Sequence, residues 1–321
     1  MPCGNLYAQV VERSIALSSE KGRTGLIVPL SLVCTNRMAE LRELVLSRST
    51  WLACYDMRPA SLFEGEAQRL CIALTSPPRQ NPPSLLAAGY RRWTVEERDH
   101  LMTTTAYVPV TPTSDKRGPA PKLSTVIEGS LLSKIASSTV HSACDNAAPP
   151  IYVHRIVRYF VKALDFLPVF MDSTGDKGKS DDYKAFRFAQ ADQDAVVSLL
   201  NSTLFYWFWR SHGDGFHCGY GDVYLMPYRR PTEESLLQDL GVLRQQLMTN
   251  LRSCSKRKSI YTKAGAIQYE EFYPKLSKSI IDEIDRVLAK HYGFTDEELD
   301  FIINYDVKYR MGLIAENGED L

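Results

Sequence analysis

No two cysteines in this chain are spaced as CxxC, no run of about 18 apolar residues occurs, and lysine plus arginine equal aspartate plus glutamate at 38 each. Each absence excludes something. The seven scattered cysteines (Cys3, Cys34, Cys54, Cys71, Cys144, Cys218 and Cys254) are an odd set that suits neither a disulfide framework nor a zinc ribbon, so a reducing cytoplasm is expected. No membrane-spanning helix is expected, and no basic leader with an apolar run suggests secretion. Balanced charge provides no global field toward nucleic acid or membrane, which leaves any such affinity to local patches. No repeat of fixed period occurs, and no glycine-rich loop follows an apolar strand: the only GxG, GYG at 219–221, follows polar FHC.

What remains is a 321-residue chain of ordinary apolar content, long enough for two domains. Residues 5–18, NLYAQVVERSIALS, place Leu6, Val10 and Leu17 near one helical face, with Val11 and Ile15 beside them. TGLIVPL then reads as a strand buried on both sides in a parallel sheet. Met38, Leu41, Leu44 and Val45 recur at helical spacing, and WLACYDM (51–57) and RLCIALT (69–75) read as a closing strand pair. The order helix, strand, helix, strand, strand predicts an α/β open sheet over residues 1–76.

Residues 77–150 are rich in Pro, Ser and Thr and read as a linker or long loops. Residues 151–231 are aromatic-rich and are expected to form a second, α+β region that includes the helix DAVVSLLNSTLFYWFWRSH, with Trp207 and Trp209 in its core. Residues 232–321 are expected to be helical, with Gly293 as a C-cap and Thr295 with Glu298 as a capping box.

The block NLYAQVVERSIALSSEKGRTGLIVPLSLV, together with LRELVL, the strand pair and SLFEGEAQRLCIALT, resembles adenine-specific DNA methyltransferases, and in particular the type IIG restriction-modification enzymes. Weaker likeness to the target-recognition region and tail of that family lies in LLNSTLFYWFW and in EEFYPKLSKSIIDEIDRVLAKHYGFTDEELDFIINYDVKYRMG. The resemblance implies the later half of a Rossmann-like methyltransferase sheet, a DNA target-recognition region and a helical C-terminal tail. In that family the S-adenosylmethionine site and the Asn-Pro-Pro-aromatic loop precede the NLYA helix. The complete enzyme therefore uses S-adenosylmethionine, none is expected on this chain alone, and a separately encoded N-terminal methyltransferase half is an implied partner. The tetrapeptide NPPS at 81–84 lies after the strand pair and is followed by no aromatic residue, so it reads as a proline-stiffened exit from the sheet.

Enzymes that modify a base flip it from the duplex and hold it by stacking and hydrogen bonds. The family places an aromatic residue in the turn between the last two strands, against the flipped base, and Phe63 in SLFEG matches it. An ordinary loop Phe packed on the core is the competing reading. Three segments mix basic and aromatic residues in a way that suits DNA backbone contact, with an ordinary solvated face as the competing reading of each: Arg91, Arg92 and Trp93; Arg155, Arg158 and Lys162, at helical spacing; and Lys256, Arg257 and Lys258. His217 is a further DNA-side candidate by resemblance. His212, Asp214, His217 and Cys218 cluster in sequence but complete no tetrahedral metal set. Double-stranded DNA is thus the expected partner, no catalytic residue is assigned, and a non-catalytic DNA-binding or assembly module is the alternative. No cluster of the PD...ExK type points to a nuclease.

Overall fold

The computed structural model describes residues 3–78, 84–111, 117–175, 178–263 and 265–314. These form two compact units: within the described residues, the first holds 3–132, 210–215 and 314, and the second 133–209 and 216–313.

The first unit begins with α1 (Leu6–Leu17), whose first turn is capped where the Asn5 side chain accepts the Tyr7 N–H at 3.2 Å. Next come β1 (Thr24–Pro29), the short α2 (Ser31–Cys34), α3 (Ala39–Leu46), β2 (Ser49–Tyr55) and β3 (Leu70–Ser76), in the expected order. Strand β3 runs antiparallel to both β1 and β2 and lies between them, so β1 and β2 are mutually parallel. The pleat sends alternate residues to opposite faces. Leu52, Cys54 and Cys71 on one face pack with Val28 and with Val11, Leu41 and Val45 of the helices, while Ala53 and Tyr55 on the other pack with Ala60, Ala88, Trp93 and Leu101.

Two expectations change here. Helix α1 buries Ala8 and Val11 instead of its leucine stripe, and leaves Leu6 74 %, Val10 49 % and Leu17 68 % exposed. Strand β1 is at the sheet edge instead of being enclosed, with Ile27 47 % exposed. Residues 77–150, expected as a linker or long loops, contain regular elements among their loops. They contribute β4 (Leu85–Arg91), parallel to β2, and β5 (Val108–Val110), antiparallel to β4, completing a mixed sheet in the order β1-β3-β2-β4-β5. α4 (Val126–Ile135) follows. The Pro/Ser/Thr count obscured LLAAGYR, a buried strand whose Gly89 adopts φ +73° where a Cβ would lie 2.7 Å from Ser124 Cβ. NPPS lies outside the described residues except for Ser84.

The second unit opens with β6 (Pro150–His154), β7 (Ala163–Leu164), β8 (Phe170–Met171) and β9 (Tyr183–Arg187); β6 lies between β7 and β9 in an antiparallel sheet. The long helix expected next is two, α5 (Gln193–Asn201) and α6 (Thr203–His212), interrupted at Ser202. Asp285 supplies the restart, its carboxylate accepting the Thr203 and Leu204 N–H groups at 3.1 and 3.0 Å. Trp207 and Trp209 are buried as expected. There follow α7 (Tyr220–Leu225), α8 (Glu234–Ser253), the strands β10 (Lys256–Thr262) and β11 (Gly265–Glu271), then α9 (Lys278–Tyr292), α10 (Asp296–Asn304) and α11 (Val307–Arg310). Gly293 takes the left-handed cap and Thr295 with Glu298 forms the capping box, as predicted. The hairpin β10–β11, extended by β8, interrupts the expected run of helices.

Candidate functional site

Ligands of open α/β sheets gather beyond the carboxyl ends of the parallel strands. In the first unit that edge carries a buried charge cluster. Asp56, the residue after β2, meets Arg210 Nη1 at 2.8 Å, Arg92 Nε at 3.2 Å and Arg69 Nε at 3.3 Å. Arg92 follows β4 and Arg69 precedes the reversed β3, so strand geometry alone delivers all three chain segments to one edge. Arg210 lies over the Tyr90 ring, 3.9 Å from its centre, and Lys122 donates to the Ser211 and Gly213 carbonyls at 2.9 and 2.8 Å. Gly215 closes the cluster at φ +73°, where any Cβ would lie 2.4 Å from Tyr90 Cε1.

Burial pushes the Asp56 carboxyl up, but Arg210, Arg92 and Arg69 outweigh it and hold it down at about 2. Burial likewise lowers the Lys122 ammonium and raises the Tyr90 phenol. Asp56 is thus a permanent anion with its oxygens occupied, suited to fixing the edge and unsuited to general-base work. None of Asp56, Arg69, Lys122 or Arg210 was singled out from the sequence, because the cluster is assembled from positions up to 154 residues apart with no local motif.

Phe63 projects from the loop between β2 and β3, at the same edge, and is 48 % exposed. It is not a core residue. Its neighbour Leu62 packs against the Trp93 cluster instead, and Arg98 pins the loop by donating to the Ser61 and Leu62 carbonyls, each at 3.1 Å, while lying 4.8 Å from the Trp93 ring centre. An exposed ring on a pinned loop can stack on a planar ligand with little further ordering.

The side chains of the YRRW segment are engaged within the protein. Trp93 is 1 % exposed, Arg92 is bound to Asp56, and Arg91 donates to the Leu101 carbonyl and to Thr104 and Thr105. All three hold the edge together.

In the second unit, Arg155, Arg158 and Lys162 are not on a helix, because the aromatic and β-branched residues of IYVHRIV extend as β6 and its continuation. The structure does bring Arg155 beside His217: Ile156 and His217 form an antiparallel bridge, flanked by bonds from Cys218 N–H to the Arg155 carbonyl and from Val157 N–H to the Phe216 carbonyl. Arg155, Arg158 and His217 are exposed, with Arg155 paired to Asp182 at 2.8 Å. Lys162 is half-buried, and burial pushes its ammonium down to about 8 against the pull of Glu271 and Asp182. Lys256, Arg257 and Lys258 are all exposed on β10. Among the described residues no group of three potential ligands is placed to hold a metal ion, and no helix is long and apolar enough to cross a membrane.

A cavity of about 800 Å³ opens against the sheet in the first unit, lined by Arg23, Gly25, Trp51, Leu74, Ser76 and Tyr107 among others. It lies at the start of β1 and β2, the opposite edge from Asp56, and among the described residues its lining includes no carboxylate. Compared with known proteins, the chain matches no family model and no curated protein.

Proposed function

We propose that the chain is the C-terminal portion of a site-specific DNA adenine (N6) methyltransferase of a restriction-modification system, contributing DNA recognition and one wall of the flipped-base pocket. The observation that carries this reading is the state of the sheet around β1. Strand β1 pairs, among the described residues, with β3 alone, yet apolar side chains flank it on both faces of the sheet: Leu6, Val10 and Leu17 of α1 on one side, Ile27 of β1 and Leu74 of β3 on the other, are each at least 40 % exposed. Such a surface resembles a domain core cut through, which is the character of obligate interfaces. In this reading the sheet continues, Rossmann-like, into strands that carry the cofactor and the Asn-Pro-Pro-aromatic loop, supplied by a separately encoded N-terminal half.

Phe63 then stands at the edge where the flipped adenine is held. Its ring stacks on the base while the absent half orients the amine toward the methyl donor. Asp56 and its arginines keep the Phe63 loop ends in register.

The test is methyl transfer from labelled S-adenosylmethionine to duplex DNA, using the chain alone and the chain co-expressed with the polypeptide encoded directly upstream. Activity is expected only for the pair, and Phe63→Ala in the pair lowers it at least tenfold with unchanged assembly. Stoichiometric binding of S-adenosylmethionine by the chain alone, seen by calorimetry, overturns the reading.

A further inference from the structure

The hairpin β10–β11 carries more than a basic patch. Residues 255–263 hold Lys256, Arg257, Lys258 and Lys263 and no acidic residue, and they form the outer strand of the sheet β10-β11-β8. Lysine on an edge strand ordinarily serves to block edge-to-edge pairing. That purpose does not account for Ile260 at 51 % and Tyr261 at 85 % exposure on the same strand, since exposed apolar side chains invite the contacts that edge lysines prevent.

The register separates two faces. Lys256, Lys258 and Ile260 share one with Glu271, Tyr269 and Ile267; Arg257, Ser259 and Tyr261 share the other with Glu270, Gln268 and Ala266. The first face is tied to its surroundings: Lys258 Nζ meets Glu271 at 2.7 Å, and Lys256 lies 5.5 Å from the Tyr273 ring centre. On the second, Glu270 is occupied at the base of the hairpin, accepting from Ser255 Oγ at 2.7 Å and from the Val169 N–H at 3.2 Å. From base to tip that face offers the Arg257 guanidinium, the Ser259 hydroxyl and the Tyr261 phenol along β10, with the Gln268 amide beside Ser259 on β11.

We propose that β10–β11 is a β-ribbon that enters the major groove of DNA, with Arg257, Ser259, Tyr261 and Gln268 directed at base edges and Lys256 and Lys263 at phosphates. The proposal rests on the DNA-modifying function above and names the element that reads the site. β8 pairs with β11 at Gln268 and Tyr269, so beyond Ser259 the hairpin projects as two strands, and a two-stranded ribbon fits the major groove of B-form DNA, about 12 Å wide, where arginine pairs with guanine and glutamine with adenine. The deep, narrow major groove of duplex RNA does not admit it. Because the row combines base-reading donors with a ring, it does more than neutralise backbone charge.

The experiment measures binding of the full chain to a fluorescent duplex of about three helical turns across a salt series. Replacing Lys256, Arg257 and Lys263 together by Ala is expected to weaken binding about tenfold or more and to make the log–log salt slope shallower by about two. Tyr261→Ala is expected to weaken binding with the slope unchanged, and duplex RNA is expected to compete poorly. These side chains are exposed, so circular dichroism and melting temperature serve as the folding control. If the hairpin variants bind as the parent does while Arg155→Ala with Arg158→Ala binds worse, the ribbon proposal falls and the DNA reading stands. Equal competition by duplex RNA overturns the groove geometry. No duplex binding by the parent chain at low salt overturns both.

Discussion

At the scale of single residues, Asp56 and Phe63 occupy one edge of a sheet and have opposite energetic meaning. Asp56 is the counter-charge of three guanidinium groups, and removing one partner from a buried ionic cluster leaves the others uncompensated. Asp56→Ala is therefore expected to destabilise the first unit by about 3–5 kcal/mol in urea denaturation, with Asp56→Glu recovering part of the loss. The same carboxyl dictates an acid response. Its folded-state pKa of about 2 lies below the ordinary aspartate value, so its contribution is complete above about pH 4 and is lost as pH falls toward 2. Acid denaturation of the parent should show that loss over this range, and the Asp56→Ala variant a flatter profile. Phe63 is half-exposed and belongs to neither core cluster, so Phe63→Ala should leave stability within about 0.5 kcal/mol. A large loss of stability would return Phe63 to a packing role. Lys162 adds a base-side test: an ammonium held at about 8 costs the fold stability while charged, and that cost is relieved as pH rises from about 8 toward the ordinary lysine value. In Lys162→Gln, that rise of stability with pH should vanish.

At the scale of elements, the same sequence signals succeeded where they were local and failed where long-range pairing decided the outcome. The capping box at Thr295 and Glu298 and the Gly293 cap are specified by neighbours three or four residues away, and both formed as written. The order α1, β1, α3, β2, β3 was legible for the same reason. LLAAGYR was missed because its reason for being a strand is β2, which lies about 35 residues earlier and pairs with it in parallel. The basic segment at 256–258 was visible as composition, but its two faces exist only once Lys256 is set opposite Glu271. Asp285 is the clearest case of a residue whose work is invisible in sequence: it caps α6 from α9, 82 residues away from Thr203. Burial raises its carboxyl to about 6 although both oxygens accept N–H groups and Arg310 adds attraction. Asp285→Ala leaves two buried N–H groups unsatisfied and should cost about 2–4 kcal/mol, with Asp285→Asn milder because one carbonyl oxygen remains as acceptor. Equilibrium urea titration of the three proteins decides it.

At the scale of the whole molecule, the decisive feature is what surrounds β1. The Leu30 N–H donates to the Arg69 carbonyl, so by the alternation of an antiparallel ladder Gly25, Ile27 and Pro29 direct their backbone groups away from β3. Pro29 brings no N–H to that side, which suits an edge, but the Gly25 and Ile27 groups remain available for another strand. Apolar side chains accompany them, and burying each large one contributes about 1.5–3 kcal/mol. The isolated chain should therefore self-associate, with a sedimentation coefficient that rises with concentration. Leu6→Glu, Leu17→Glu and Ile27→Lys together should return it to a monomer without lowering its melting temperature, since each is exposed. Under the proposed function, the same triple variant should fail to restore methylation when paired with the polypeptide encoded directly upstream, because the side chains that drive self-association are the ones that partner would cover. A parent chain that stays monomeric at high concentration, together with a triple variant that still complements, would show that the sheet ends at β1 by design.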